Sequence, residues 1–236
     1  TDLEVASSED YLALKGAALV LAERGMAARR TLDDPRLDGF QDIALWRGAA
    51  DDLTGDQKAA INNFNTGDPS LFGYPISLKA KLLIRRLKVA LDAEQIELAK
   101  EWRDQTLEEI EAYGPTYKAR LDNLFGRLYR MELDFDNAVV SFQSAKDSGD
   151  EYSSVRAEYN LIDINLQQET IELKEAIQRF ERLRYAWRGD AFERQVLNRL
   201  GELYLAEGDY RNALNTLKVI VAYFPKHSDA KNAAER

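Results

Sequence analysis

The sequence predicts an all-α chain built from repeated antiparallel helix pairs, and three observations carry that prediction. Alanines 60, 99, 138, 176 and 213 follow one another at spacings of 39, 39, 38 and 37 residues. Around each of them the apolar residues recur every three or four positions, as on one face of a helix. Five prolines and thirteen glycines in 236 residues leave room for long helices. Five units at a near-constant period are the signature of a solenoid, in which each unit buries its apolar face against its neighbours.

The clearest unit is "RLGELYLAEGDYRNALNTL", Arg199 to Leu217. Leu200, Leu203, Tyr204 and Leu205 precede Gly208, and Tyr210, Ala213, Leu214 and Leu217 follow it. Gly208 ends the first helix because it enters the left-handed region without steric penalty. Asp209 caps the second. Small residues at Gly201 and Ala213 let the two helices approach closely, and Pro225 stops the second. The pattern Gly201, Tyr204, Gly208-Asp209-Tyr210, Ala213, Leu217 and Pro225 resembles the tetratricopeptide repeat (TPR). The resemblance implies a right-handed α-solenoid whose first helices line a concave surface.

Earlier copies follow the same template. One reads Gly126, Tyr129, Asp134-Phe135, Ala138, Phe142 and Ala145, and another Gly48, Gly55-Asp56, Ala60 and Phe64. Two degenerate copies centre on Ala99 and on Ala176 with Phe180. In these, Leu87 and Ile164 replace the small residue of the first helix, and Arg103 replaces the large apolar one of the second. The spacing exceeds the family period of about 34 residues, so longer helices or turns are expected. Pro35, Pro69, Pro75, Pro115 and Pro225 fall between the expected helices. Residues 1–38 form an N-terminal helical segment, with a short pair over 9–32 as a cap. Residues 39–226 form the TPR-like solenoid, and 227–236 open an incomplete further unit with Ser228 as its cap. An array cut there exposes an apolar face, so the natural protein is expected to continue.

Composition excludes several classes of function. The net charge of −9 argues against a general nucleic-acid binder, which needs a broad basic surface. With no cysteine, disulfides, thiolate catalysis and cysteine-ligated zinc are excluded. His227, the one histidine, cannot build a two-histidine metal site and reads as a turn residue. Neither a phosphate-binding glycine loop nor a distinctive carboxylate pair is present, so no catalytic residue, metal or cofactor is expected. No apolar run reaches the roughly 18 residues of a membrane span. Arg188-Gly189-Asp190 resembles an adhesion tripeptide, but turn chemistry accounts for it: Gly189 ends one helix, Asp190 caps the next, and Trp187 packs beneath. The lack of cysteine leans slightly toward a periplasmic or other extracytoplasmic setting, and the alanine-rich, acidic style looks bacterial.

The resemblance supplies a candidate binding surface. Its ligand-facing positions fall on Lys81, Arg85 and Lys88 in the second unit, and on Arg120, Asn123, Arg127 and Arg130 in the third. An acidic chain would thus hold a basic stripe on its first helices, able to grip an acidic peptide or a terminal carboxylate. Lys81 and Arg85 match part of the carboxylate clamp of some TPR domains. Leu45 and Ala49 stand where the rest of that clamp would be, so a chaperone-tail clamp is not expected. The fifth unit offers the contrasting set Gln195, Asn198 and Glu202. Under the competing reading the bases pair with acids on adjacent helices, such as Asp92 or Glu158, as solvated surface. The function expected is a non-catalytic scaffold or adaptor holding a protein or peptide partner in a bacterial assembly. The alternatives are the superhelical part of a larger enzyme, such as one cleaving wall glycan, and self-association through the C-terminal end.

Overall fold

Twelve α-helices form among the residues that the structure, a computed structural model, describes, namely 8–189 and 191–224, and no strand forms among them. They follow one another as pairs. The first pair is α1 (Glu9–Leu21) and α2 (Gly25–Leu32). Then come α3 (Ile43–Thr54) with α4 (Gln57–Gly67), and α5 (Ile76–Asp92) with α6 (Ile96–Leu107). α7 (Pro115–Met131) precedes α8 (Phe135–Asp147), and α9 (Glu151–Gln167) precedes α10 (Leu173–Ala186). The last pair is α11 (Ala191–Glu207) and α12 (Tyr210–Tyr223). Short 3-10 turns at Pro35–Leu37, Asp68–Gly73 and Ile110–Tyr113 lie between successive pairs.

The five marker alanines are all buried, each as the fourth residue of a second helix. Gly48 and Gly201 occupy the matching place in first helices. A Cβ on Gly48 would lie 3.0 Å from the Phe64 ring, and one on Gly201 would lie 3.0 Å from Leu217. A side chain at either position would push the paired helices apart. Leu87 and Ile164, which replace the small residue in the degenerate units, are nevertheless buried. Arg103 does not fill the apolar slot of the second unit. Trp102, one residue earlier, is buried instead and meets the Phe64 ring edge-on at 6.3 Å. One helical step is 100° of rotation, so the indole enters the interior while Arg103 lies over Tyr129 and pairs with Glu132.

Each turn inside a pair needs one left-handed residue. Gly55 and Gly208 supply it at φ 85° and 81°. Asp56 and Asp209 then cap the second helices by accepting from the N–H groups of Ala59 and Asn212. The equivalent residues in the other turns are Glu23, Glu94, Leu133 and Glu169, at φ between 55° and 63°. An L-residue there costs about 1–2 kcal/mol. Leu133 is 72% exposed, so its side chain contributes little burial. Leu133→Gly is therefore expected to raise stability by about 0.5–1 kcal/mol, the relieved strain less the added chain entropy, read from the midpoint of urea unfolding.

Pro75 precedes α5 and Pro115 opens α7, where a missing N–H costs nothing, whereas Pro35 and Pro69 sit inside 3-10 turns. Gly189 does not end a helix. α10 stops at Ala186, and Gly189, at φ 97°, follows an extended Trp187 whose ring meets Tyr152 edge-on at 5.9 Å. Asp190, Pro225, His227, Ser228 and the expected incomplete unit over 227–236 lie outside the described residues.

The chain divides into two compact units, Thr1–Asp134 and Phe135–Arg236. The division falls in the turn of the third expected repeat. In the N-terminal unit the first helices lie side by side, α1 on α3, α3 on α5, and α5 on α7. Its core runs from Val20 through Leu45, Phe64, Leu87 and Trp102 to Leu128. The C-terminal unit packs Ile162, Ala176, Phe180, Val196, Leu200 and Ala213 together.

Candidate functional site

Six of the seven stripe residues are charged side chains on α5 and α7 that keep some solvent exposure, and the seventh, Asn123, is buried. Three of them belong to one chain of ion pairs. Arg85 donates to Asp52 at 2.9 Å and lies 3.8 Å from Glu23. Lys88 bridges Asp52 at 3.2 Å and Asp92 at 2.8 Å. Arg127 donates to the other oxygen of Asp92 at 2.7 Å. The ladder thus links α3, α5 and α7 across the face made by first helices.

Asp92 was foreseen as a partner from the sequence and is one. Glu158 is not: it lies in the C-terminal unit, held by Lys146 at 2.7 Å and Arg179 at 2.9 Å. Asn123 offers little surface, being 8% exposed with its amide donating to the Ala119 carbonyl. Arg120 and Arg130 are half-buried on α7, and each engages a neighbour. Lys81 is exposed and makes no ion pair among the described residues. Leu45 and Ala49, at the places a clamp would need polar groups, are fully buried. In the fifth unit Glu202 accepts from Arg199 at 3.2 Å, and Arg199 also grips Asp163 at 2.7 Å.

The ladder shifts its own titration. Burial pushes the Asp92 carboxyl up, but hydrogen bonds from Lys88 and Arg127 outweigh it and hold the group below its ordinary value. Burial pulls Lys88 down, and Asp52 and Asp92 together more than restore it. A carboxyl depressed in the folded state stabilises the protein above its unfolded value of about 3.9, and that contribution is lost as pH falls through the folded value. Asp92→Asn is therefore expected to cost about 1 kcal/mol at pH 7. The difference from wild type should shrink as pH falls through the lowered folded-state value of Asp92, as urea unfolding at a series of pH values will show.

A cavity of about 530 Å³ lies in the C-terminal unit among α8, α9 and α10. Lys146, Glu158, Arg179 and Arg182 line it with Val155 and Leu183. Glu158 in this lining pairs with both Lys146 and Arg179, and Glu175 lies 4.0 Å from Arg179. Among the described residues no cluster of three or more potential metal ligands occurs, and no helix is long and apolar enough to cross a membrane.

No protein-family model matches the chain, and the search of curated proteins gives no match. Solved structures do match. The apo form of RapI is similar with a TM-score of 0.65 at 14% identity, over 99% of this chain and 70% of that one. The TPR2AB domain of yeast Sti1, in its complex with pHSP90, gives a TM-score of 0.42 at 18% identity, over 96% of this chain and 95% of that one. The fold is that of the TPR-like helical-repeat proteins, as the repeat pattern implied. The RapI likeness carries that assignment, and it concerns the fold alone.

Proposed function

We propose that this chain is a non-catalytic protein-interaction scaffold, and that a partner segment docks along the first-helix face of the N-terminal unit. The charge ladder from Glu23 through Arg85, Asp52, Lys88 and Asp92 to Arg127 is the observation that carries this reading. Its basic members are partly exposed, so they can turn toward an external partner at small cost, while Asp52, 8% exposed, stays as the internal anchor of Arg85 and Lys88. Lys81 has no internal partner to give up and is the first contact for an acidic side chain. Arg120, Arg127 and Arg130 extend the surface along α7, and Asn123 contributes to its floor. An acidic peptide fits better than a basic one because the fork-shaped guanidinium groups grip carboxylates in bidentate fashion. A bacterial, extracytoplasmic setting belongs to the same proposal and rests on the cysteine-free, alanine-rich composition.

The test is a peptide array carrying acidic, neutral and basic segments, probed with wild type and with Lys81→Glu. Acidic peptides should be retained, and Lys81→Glu should weaken them by about tenfold, the equivalent of one charge-assisted contact. Circular dichroism checks that the variant folds. Retention that ignores peptide charge, or that survives the charge reversal unchanged, moves the docking surface elsewhere.

A further inference from the structure

The cavity among α8, α9 and α10 faces one charge that its own walls do not balance. Glu175, Arg179, Arg182, Leu183 and Ala186 line it from one face of α10, three or four residues apart along the helix. Near Arg179 the wall is polar and self-paired. Arg179 grips one oxygen of Glu158 at 2.9 Å, and Lys146 meets the other at 2.7 Å. Glu175 stands 4.0 Å from Arg179. Ser154 donates to the Lys146 carbonyl at 2.8 Å and so ties α9 to the end of α8. Two bases and two acids are thereby used up. Arg182 is the third base. It is exposed and makes no ion pair or hydrogen bond among the described residues. Beyond it the wall turns apolar, with Val155 and Leu183 buried behind the surface and the small Ala186 exposed.

We propose that this cavity binds a carboxylate carried on a branched apolar arm, the carboxylate on Arg182 and the arm over Leu183, Val155 and Ala186. Three features select that chemistry. The guanidinium fork of Arg182 can donate to both oxygens of a carboxylate. Glu158 and Glu175 repel a dianion such as a phosphate ester, so a single negative charge fits better than a double one. A few polar groups beside an apolar wall, in a space of about 530 Å³, match the size and make-up of small-ligand sites. A free branched acid and the terminal leucine or valine of a protein chain share this chemistry. The site is separate from the first-helix face of the N-terminal unit, since its cations stand on the second helices α8 and α10. One ionic contact and one apolar group give an expected Kd of about 1 mM for a small acid.

Isocaproate, a carboxylate on a leucine-like arm, is the probe, titrated to about 20 mM against the nitrogen-labelled chain while amide NMR shifts are followed. The amides around Arg182 and Leu183 should move, and isocaproamide should leave them in place. Arg182→Gln should weaken binding at least about tenfold, and Arg182→Lys should weaken it less. Ala186→Phe, a change at an exposed position that fills the apolar end, should abolish it, with circular dichroism checking the fold of each variant. Lys81→Glu should have no effect, so this site and the acidic-peptide surface stand or fall separately. A tripeptide ending in a free leucine carboxylate then distinguishes the sources. Binding about tenfold tighter than isocaproate assigns the cavity to a chain end, and weaker binding assigns it to a free acid. No shift at the highest concentration overturns the proposal. So does an amide that binds as well as the acid, or binding that survives Arg182→Gln unchanged.

Discussion

Asp68→Ala is expected to destabilise the N-terminal unit by about 3–5 kcal/mol, the cost of leaving one member of a buried ion pair without its partner. The reason lies in Arg86. Its side chain is 1% exposed, yet it carries a full charge into the core. Asp68 accepts from its guanidinium, Gln105 accepts at 2.8 Å, and the Trp102 ring lies 5.1 Å away. Burial pulls the Arg86 pKa down, and Asp68 opposes that pull most strongly. Without Asp68 the guanidinium keeps its desolvation and loses its principal counter-charge. The reverse substitution is gentler. Asp68 keeps 27% of its side-chain exposure and regains water once freed. Arg86→Met retains a long apolar stem against Trp102 and is expected to cost no more than about 1.5 kcal/mol. Urea unfolding followed by tryptophan fluorescence reads both. Equal losses for the two variants would mean that packing, and not the charge, sets the energy of this site.

How much of this could be read from the sequence depended on the range of the interaction. The helix pairs follow from local periodicity, and the alanine markers are buried as their spacing required. Turns were legible where glycine stands at the left-handed position, as at Gly55 and Gly208. They carried no signal at Glu94, Leu133 and Glu169, because those residues adopt that conformation against their own preference. The stripe shows the same limit. Its helical register was readable, since Lys81, Arg85 and Lys88 share a face by spacing alone. Its pairing was readable only within a helix: Lys88 and Asp92 are four residues apart. The contacts Arg85 to Asp52 and Arg127 to Asp92 span 33 and 35 residues and depend on which first helices are neighbours. Arg86 gave no sign at all. It adjoins Arg85 in sequence, and only the rotation of α5 sends one toward solvent and the other inward.

A loss as large is expected at Trp102, beside the same arginine. Trp102→Ala should cost about 3–5 kcal/mol, the range for a large aromatic cut down to alanine in a core that cannot fully collapse. Arg103→Ala, one residue on, should change stability by less than about 1 kcal/mol, as its ion pairs lie near the surface. A reading by repeat register alone makes the opposite forecast, since position 103 is where Phe64, Phe142, Phe180 and Leu217 stand in the other units. The geometry decides between them. The indole fills the interior between Phe64 and Arg86, and it is the surface on which the buried guanidinium rests. Trp102 and Arg86 should therefore be coupled. Removing the ring leaves Arg86 its charge but not its support, so the cost of Arg86→Met should differ by about 1 kcal/mol between the wild-type and Trp102→Ala backgrounds. A double-mutant cycle that closes with no coupling would separate the two, and the second unit would then hold its arginine by Asp68 and Gln105 alone.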